Sequence, residues 1–458
     1  MLKVRHVRRL GDYRKALQQE GLCPFDLRRT LEAVCQTAAM SIVDDYLART
    51  PGSAALFERA ARSIPGGSTR TTVYSPPYPP YMVRGEGIRT WDVDGNEYRD
   101  FLGNYTSLIL GHAHPVVVDA VKRQVDRASA FAAPTEVEVE LAEEIIGRLP
   151  SLERLRFTNS GTEATMFAIR AARAFTGRSL VARFDHSYHG THDTVQAWTA
   201  GVPDEVSRLV VELPWDDADG VERILGPIER DVAAILIEPV QGAGGVRAAD
   251  PAFLARLRGI ATRIGALLVF DEIIAFRVGP HGAQGLLGVQ PDLTTLGKII
   301  GGGYPLAAFG GRADVMDRFD ARRPGALGHG GTFNGNPVGA AAGLATLRYL
   351  TPERYARLDE LGDRLRTRLS DAIGRAGVDA RVEGIASLFQ VHPGPTLGTG
   401  ELTPAGELFV GLLVDGFHIA PRGMGAIALP ADEADIDAVA DAIVGRLATM
   451  QTRAPVAS

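Results

Sequence analysis

The strongest constraint on the fold is a repeated pattern of strand, loop and helix that begins near residue 135. Predicted strands at 155–158, 233–237 and 266–270 are almost wholly apolar, and helical patterns follow them. Strands that lack polar alternation are typical of a parallel sheet that helices cover on both faces. The sequence therefore predicts the α/β fold class, with a mostly parallel sheet flanked by helices.

Composition narrows the possible partners. The chain has 458 residues, of which 45% are apolar and 23% charged, and its net charge is -6. This acidic balance argues against nucleic acid or an anionic membrane as the main partner. No run approaches the roughly 18 apolar residues of a transmembrane helix, and no apolar signal region follows the basic N-terminus. The two cysteines, Cys23 and Cys35, give no disulfide framework, so we expect a cytoplasmic protein.

Lys298 is the first candidate functional residue. It lies in a glycine-rich bend, 27 positions after Asp271, which ends an apolar run. A lysine amine held just beyond a sheet can be desolvated, which lowers its pKa and lets it form Schiff bases with carbonyl compounds such as pyridoxal phosphate (PLP). A buried carboxylate, here Asp271, keeps the pyridine nitrogen of that cofactor protonated. The pair therefore predicts PLP as the cofactor.

Two competing motifs are excluded by single residues. A Walker A loop ending at Lys298 requires Gly and Ser/Thr where Asp292 and Ile299 stand. A nucleophile elbow around Ser160 requires Gly where Thr158 stands. The sequence therefore favours neither a P-loop nucleotide site nor an α/β-hydrolase nucleophile.

Two segments are candidates for phosphate binding. Gly161 opens a predicted helix, so its N–H groups and the hydroxyls of Ser160 and Thr162 could bind an anion. Thr332, ahead of another predicted helix, is a second candidate. A plain helix cap is the alternative for both segments.

Three histidines could be mistaken for a metal site. His186, His189 and His192 are spaced three residues apart, but this spacing fits no catalytic zinc signature, and Gly190 disfavours the helix that would align their rings. We expect no metal here. Instead, Tyr188 or His189 is predicted to stack on a flat cofactor ring.

These segments, in order along residues 60–450, resemble the class III PLP-dependent aminotransferases of fold type I, in the branch that contains glutamate-1-semialdehyde aminomutase. The matching stretches are 91–98, 111–115, 157–164, 188–190, 238–239, 270–272, 291–303 and 331–332. The resemblance implies that Lys298 binds PLP and moves the proton, that Asp271 pairs with the pyridinium nitrogen, and that Tyr188 stacks on the ring. It also implies that Ser160, Gly161 and Thr162 hold the phosphate. The further cofactor contacts that it implies are His189, Glu238, Ile273 and, from the neighbouring subunit of a homodimer, Thr332.

The resemblance also bears on the substrate. Aminomutases of this branch carry a Glu on the loop over the site, whereas the loop 419–430 has none, and the motif after Asp271 is one residue shorter than theirs. Arg422, Arg70 and the segment 101–106 resemble β-amino-acid aminotransferases instead. The resemblance implies that both arginines bind substrate carboxylates, although a solvated surface charge remains the alternative for each.

The expected activity is amino transfer from an amino acid, possibly a β-amino acid, to an oxo acid by a ping-pong mechanism. The alternatives are an aminomutase and a fold-type-I protein without catalytic activity. Four parts are predicted along the chain: a helical extension (1–62), strands and a hairpin that join the small domain (63–134), the PLP-binding large domain (135–350) and a smaller α+β C-terminal domain (351–458).

Overall fold

The computed structural model describes residues 41–196 and 200–453. Most of the predicted N-terminal extension, including both cysteines, lies outside these residues. The strands, in chain order, are β1 (Met82–Glu86), β2 (Arg89–Asp92), β3 (Glu97–Asp100), β4 (Arg154–Thr158), β5 (Leu180–Phe184), β6 (Val210–Leu213), β7 (Val232–Ile237), β8 (Val240–Gln241), β9 (Arg247–Ala248), β10 (Leu267–Asp271), β11 (Leu293–Leu296), β12 (Ala307–Gly311), β13 (Ala380–Ile385), β14 (Leu388–Pro393), β15 (Phe417–His418) and β16 (Met424–Ala426).

Helices separate most of these strands. In chain order they are α1 (Ile42–Arg49), α2 (Pro51–Ala60), α3 (Gly103–Thr106), α4 (Pro115–Val125), α5 (Glu136–Arg148), α6 (Gly161–Thr176), α7 (Asp204–Ser207), α8 (Ala218–Leu225), α9 (Pro251–Ile264), α10 (Gly282–Leu287), α11 (Ala313–Met316), α12 (Pro337–Tyr349), α13 (Pro352–Ala376), α14 (Pro404–Val414) and α15 (Glu433–Arg453). Short 3-10 turns lie at Pro65–Gly67, Thr71–Val73, Gly226–Ile228, Ala275–Val278, Lys298–Gly301 and Asp317–Phe319.

A seven-stranded sheet forms the centre of the structure, with the order β4-β12-β11-β10-β7-β5-β6. The strand β12 runs antiparallel to both of its neighbours, and the pairings among β11, β10, β7, β5 and β6 are parallel. All six residues of β7 and all five of β10 are buried. The mostly parallel α/β sheet predicted from the apolar strands is therefore confirmed, and it agrees with fold type I.

Helices cover both faces of this sheet. Ile235 and Phe270 pack in one apolar cluster with residues of α8 and α9. Leu236 and Val269, their neighbours along the strands, pack in another cluster with residues of α6. Because successive side chains of a strand point to opposite faces, two layers of helix bury both faces of the same strands.

Two smaller sheets lie outside the central one. The strands β1, β2 and β3 form an antiparallel meander, whose predicted Asp-Gly turn contains Gly95 with φ of 85°. The strand β15, from the C-terminal part of the chain, pairs in parallel with β3. The strands β13, β14 and β16 form a second antiparallel sheet. This pairing of β3 with β15 is consistent with the predicted joining of the 63–134 segment to the small domain, although the four domain boundaries stay predictions.

Gly377, with φ of 60°, ends α13 in the left-handed conformation that favours glycine. None of the helices in the described part of the chain is both long and apolar enough to cross a membrane.

Candidate active site

Lys298 lies just past the carboxyl end of β11, which is an interior strand of the central sheet. It opens a 3-10 turn, and its φ of 50° is in the left-handed region that residues other than glycine seldom adopt. The turn packs closely against α12, where a Cβ atom on Gly343 would lie 1.8 Å from the Ile300 carbonyl oxygen. The backbone that carries the amine is therefore strained and held in place by a packed helix.

Asp271 ends β10, the strand next to β11 in the sheet, and its Cα pairs with that of Thr295. The carboxyl ends of parallel strands meet at one edge of a sheet, where α/β proteins bind their ligands. Burial lowers the pKa of the Lys298 amine, and the charges of Asp271 and Glu238 oppose that change. The structure thus brings the amine and both carboxylates together.

The carboxylate of Asp271 is buried and held by two hydrogen bonds. Its Oδ2 lies 2.8 Å from Nδ1 of His189, and its Oδ1 accepts a hydrogen bond of 3.1 Å from the backbone N–H of Ile273. His189 is itself buried, and Thr165 donates to its backbone carbonyl at 2.7 Å. Within the described residues, His189 Nε2 has no hydrogen-bond partner. The histidine therefore supports the carboxylate edge-on.

Glu238 fixes the backbone of the neighbouring aromatic residue. Its Oε2 accepts from the N–H of Tyr188 at 2.9 Å, and its Oε1 accepts from the N–H of Gly242 at 3.2 Å. Burial raises the pKa of Glu238 to about 7, with the charge of Asp271 adding to the rise and that of His189 opposing it. Tyr188 is 39% exposed, so its aromatic ring is accessible to a ligand beside Glu238.

The N-terminus of α6 offers an anion site, and the cap alternative is also correct. Ser160 is the N-cap residue, and its hydroxyl accepts from the N–H of Glu163 at 3.2 Å. The N–H groups of Gly161 and Thr162 have no acceptor within the described part of the chain. Thr162 Oγ1 accepts from the N–H of Thr191 at 3.2 Å, which leaves its own proton available to a ligand. Two backbone donors and one hydroxyl donor are therefore free at a helix N-terminus.

Ile273 and Gly190 shape this region from two sides. A Cβ atom on Gly161 would lie 2.6 Å from Cδ1 of Ile273, and one on Gly297 would lie 3.3 Å from its Cγ2. Ile273 thus packs between the α6 N-terminus and the residue before Lys298. Gly190 adopts φ of 99°, and a Cβ atom there would lie 2.5 Å from Thr162 Oγ1.

Thr332 lies in an exposed turn, and its interpretation as a helix cap is wrong. Asn336 is the N-cap residue of α12, accepting from Val338 N and Gly339 N at 3.0 and 3.3 Å. The same turn is tied to the α6 N-terminus, because Asn159 Nδ2 donates to Asn334 Oδ1 at 2.9 Å. The contact of Thr332 with a neighbouring subunit stays a prediction.

Arg70 contacts the ring of Tyr105, and the charge of Arg422, 352 positions later in the sequence, also acts on that tyrosine. Arg70 donates to Asn104 Oδ1 at 2.9 Å, and its guanidinium carbon lies 5.8 Å from the ring centre of Tyr105. Burial raises the pKa of Tyr105, and the charges of both Arg70 and Arg422 oppose that rise. Both arginines are exposed, so their guanidinium groups are accessible.

The ring of Tyr105 is held by unusual backbone. Gly103, Asn104, Tyr105 and Thr106 have φ values of 53°, 48°, 54° and 76°, so α3 is a left-handed turn rather than an ordinary helix. Strained backbone of this kind persists where the surrounding structure enforces it, often at functional sites. Apart from Gly103, no residue of this segment indicates such a turn.

The loop of Arg422 is held by backbone and side-chain hydrogen bonds. Gln390 donates through its side chain to the Arg422 carbonyl, and the Gly423 N–H donates to the Ala420 carbonyl at 2.8 Å. A Cβ atom on Gly423 would lie 2.2 Å from the Val391 carbonyl oxygen. These contacts hold the backbone at Arg422, so any adjustment to a ligand falls to its side chain.

Comparison with known proteins agrees with this geometry. The family description "Aminotransferase class-III" matches residues 73–392. The chain belongs to the class III aminotransferases. PLP is the cofactor of this family of enzymes, and the family resemblance inferred from the motifs is confirmed.

Relatives within the family carry two kinds of name. The chain is 41% identical to a β-phenylalanine transaminase of Variovorax paradoxus, with 86% of this chain and 92% of the relative covered. It is also 41% identical to a glutamate-1-semialdehyde 2,1-aminomutase of Bordetella avium, with 85% and 97% covered. The crystal structure of an ω-transaminase from Sphaerobacter thermophilus matches with a TM-score of 0.84 at 44% identity, covering 88% of this chain and 99% of that one.

The residues present fit PLP. The free donors at the α6 N-terminus suit a phosphate, the buried carboxylate of Asp271 suits a protonated ring nitrogen, and the desolvated amine of Lys298 suits an aldehyde. Among residues 41–196 and 200–453, no group of three or more His, Cys, Asp or Glu is arranged to hold a metal ion.

Gly190→Ala tests the approach of the 188–191 loop to the α6 N-terminus. We expect weaker retention of PLP, because the new Cβ would collide with Thr162 Oγ1. Gly201→Ala is the matched control, since Gly201 has a similar φ of 87° and no atom of the described residues lies within 4 Å of its Cβ position. The measurement is PLP affinity from the visible absorbance of bound cofactor during titration of the apoenzyme. Equal affinities in the two variants would contradict the prediction.

Proposed function

We propose that this enzyme transfers the amino group of a β-amino acid that carries an apolar side chain to an α-oxo acid, by a ping-pong mechanism. The observation that carries this proposal is that the segment contacting Arg70 is paired with the segment carrying Arg422, through the bond from Ala426 N to the Phe101 carbonyl, in a chain that also has the desolvated Lys298 amine. The β-phenylalanine transaminase relative supports an aryl side chain on the donor.

Lys298 and Asp271 divide the chemistry between them. When bound, PLP supplies an electron sink for negative charge that develops on the substrate carbon beside the nitrogen. Because burial lowers the pKa of Lys298, its amine is neutral at a lower pH than that of an exposed lysine. A neutral amine can accept a proton from the reacting carbon and return it. Asp271, held by His189, would pair with the protonated pyridine nitrogen of the cofactor.

Other side chains orient the cofactor in this proposal. Ser160, Gly161 and Thr162 would hold the phosphate, and Ile273 would pack against the ring. Glu238 fixes the backbone of Tyr188, whose exposed ring stacks on the cofactor. Offset stacking of this kind contributes about 0.5–1.5 kcal/mol.

Two arginines are proposed because the two substrates carry their carboxylates at different positions. A β-amino acid and an α-oxo acid place their carboxylates at different distances from the reacting carbon. An enzyme that binds both in turn requires either two cationic groups or one that moves. Arg70 and Arg422 are exposed, the charges of both act on Tyr105, and each can bind a carboxylate through two parallel hydrogen bonds.

The proposed active unit is a homodimer in which Thr332 binds the phosphate of the neighbouring subunit's cofactor. Several large apolar side chains are more than a third exposed on the single chain: Val116, Val125, Phe131, Val139 and Phe333. Phe333 is adjacent to Thr332, so an exposed apolar side chain lies beside the residue proposed to contact the neighbouring subunit. Sedimentation that shows full activity in a monomer would contradict the dimer. The cytoplasmic location expected from the two cysteines stays a prediction.

An aminomutase is the second candidate, because relatives with that name match this chain as well as the transaminase does. The two activities separate when enzyme in its amino-loaded form is incubated with glutamate 1-semialdehyde. Efficient formation of 5-aminolevulinate without an added oxo acid would favour the aminomutase and overturn the amino-transfer proposal. A colourless protein that cannot bind PLP would instead point to a non-catalytic role.

Lys298→Ala is predicted to abolish turnover and to remove the visible absorbance of the lysine-bound cofactor. Both losses follow because the variant has no amine at the site to bind the aldehyde or to carry the proton. Lys122→Ala is the matched control, since Lys122 is exposed on α4. Steady-state rates and absorbance spectra check the prediction, and an unchanged spectrum in the Lys298 variant would overturn the assignment.

Arg70→Ala and Arg422→Ala are each predicted to raise KM for a carboxylate substrate about ten- to hundredfold, with PLP affinity unchanged. The size follows from the loss of charge-assisted hydrogen bonds, which contribute about 1.5–3 kcal/mol each. The exposed Arg62 supplies the control variant, Arg62→Ala. Kinetics with a β-amino acid donor and with 2-oxoglutarate or pyruvate as acceptor measure the effect. Wild-type KM values in both variants would remove the main support for a β-amino acid donor.

A further inference from the structure

Arg277 is a buried guanidinium that the cofactor chemistry does not use. It is 2% exposed and lies in the 3-10 turn after β10, on the same segment as Asp271. Burial lowers its pKa to about 10. A buried cation is costly unless its donors find acceptors. The positions of the acceptors therefore show which segments of the chain the arginine connects.

Each of its three nitrogens donates a hydrogen bond to a separate segment of the chain. Nη1 donates to the Thr106 carbonyl at 2.8 Å, Nη2 to the Ile427 carbonyl at 2.6 Å, and Nε to Ser387 Oγ at 3.2 Å. A planar guanidinium directs its N–H groups along fixed lines, whereas a lysine amine is a single point on a flexible stem. Only arginine can bridge all three acceptors at once.

One acceptor belongs to the left-handed turn that contacts Arg70. Thr106 is the last residue of that turn, and Asn104 and Tyr105 within it hold the Arg70 side chain. Fixing the Thr106 carbonyl therefore helps to hold a strained turn in the conformation that places these two side chains.

A second acceptor belongs to the segment that carries Arg422. Ile427 directly follows β16, which begins two residues after Arg422. The 424–429 segment also pairs with the 101–109 segment, through Ala426 N to the Phe101 carbonyl at 2.5 Å and Leu429 N to the Ile109 carbonyl at 2.8 Å. Arg277 thus lies where the turn that contacts Arg70 meets the segment that carries Arg422.

The third acceptor is itself anchored. Ser387 lies in the turn between β13 and β14, beside Ala386 with φ of 51°. Arg366 donates to the carbonyls of Ala386 and Leu388 at 2.6 and 3.0 Å, which ties this turn to α13. Ser387 is therefore held in place and can fix the position of the guanidinium.

We infer that Arg277 is a positioning residue for substrate carboxylates: it sets the spacing of Arg70 and Arg422 relative to the segment that carries Asp271. The inference rests on the proposed function of these two arginines. Misplacement of a binding group by about 1 Å can cost about a hundredfold in rate. Loss of Arg277 should therefore change the recognition of carboxylates more than the binding of PLP.

The experiment compares the holoenzyme with Arg277→Met, Arg277→Lys and Ser387→Ala. Two donors share a phenyl ring and an amine: 3-amino-3-phenylpropanoate has a carboxylate, and 1-phenylethylamine has none. In Arg277→Met we expect KM for the carboxylate donor to rise about tenfold or more, with smaller rises in Arg277→Lys and Ser387→Ala. KM for the amine and the visible absorbance of bound PLP should stay within about twofold. The inhibition constant of 3-phenylpropanoate supplies a binding readout that needs no turnover.

Arg178→Met is the matched control for loss of a guanidinium that bridges backbone carbonyls. Arg178 Nη1 donates to the carbonyls of Glu229, Val232 and Ile264 at 3.3, 3.1 and 2.7 Å, at the far end of the central strands. We expect a lower melting temperature in this variant with the KM ratio of the two donors unchanged.

Three outcomes would overturn the inference. An equal rise in KM for both donors would show a general structural role. Unchanged KM values in the Arg277 variants, alongside raised values in the Arg70 and Arg422 variants, would reject Arg277 and leave the proposed function intact. Unchanged values in all of these variants would reject both. If Arg277→Met does not fold, the same KM and absorbance measurements on Arg277→Lys and Ser387→Ala test the inference.

Discussion

The buried carboxylate of Asp271 is the interaction on which the rest of the site depends. Taking a carboxylate out of water costs several kcal/mol unless donors surround it. Here a histidine ring and a backbone N–H lie within hydrogen-bond distance, and the parallel neighbour β11 carries Lys298 just past its end. Sheet order, and not only side-chain chemistry, therefore sets the distance between the acid and the amine.

The segment that follows Asp271 extends this order across the molecule. Ile273 packs between the α6 N-terminus and Gly297, so it reaches the proposed phosphate site. Four residues later, Arg277 reaches the turn that contacts Arg70 and the segment that carries Arg422. One short stretch of chain thus links the proposed acid, phosphate and carboxylate sites. A change in any residue of this stretch is expected to disturb more than its own contact.

Much of this arrangement was predictable from the sequence, for identifiable reasons. Apolar strands and glycine turns follow local rules, so the sheet and the positions of Lys298 and Asp271 at its edge were inferred correctly. The free N–H groups at Gly161 follow from its place between a strand and a helix. The left-handed turn at Tyr105 and the role of Gln390 depend on contacts between distant segments, and no local pattern reports them. Arg277 did carry a signal, since a lone charge within the apolar stretch 273–278 indicates buried hydrogen bonds.

Peptide mapping after borohydride reduction tests most directly whether Lys298 binds the cofactor. Reduction fixes PLP covalently to the lysine that holds it, and this chain has four lysines, Lys3, Lys15, Lys122 and Lys298. Of the two within the described residues, Lys122 is exposed and Lys298 lies beside Asp271. The mass of reduced PLP should appear on the peptide that contains Lys298, in near-stoichiometric yield. Its appearance on another lysine, or on none, would contradict the assignment of the site.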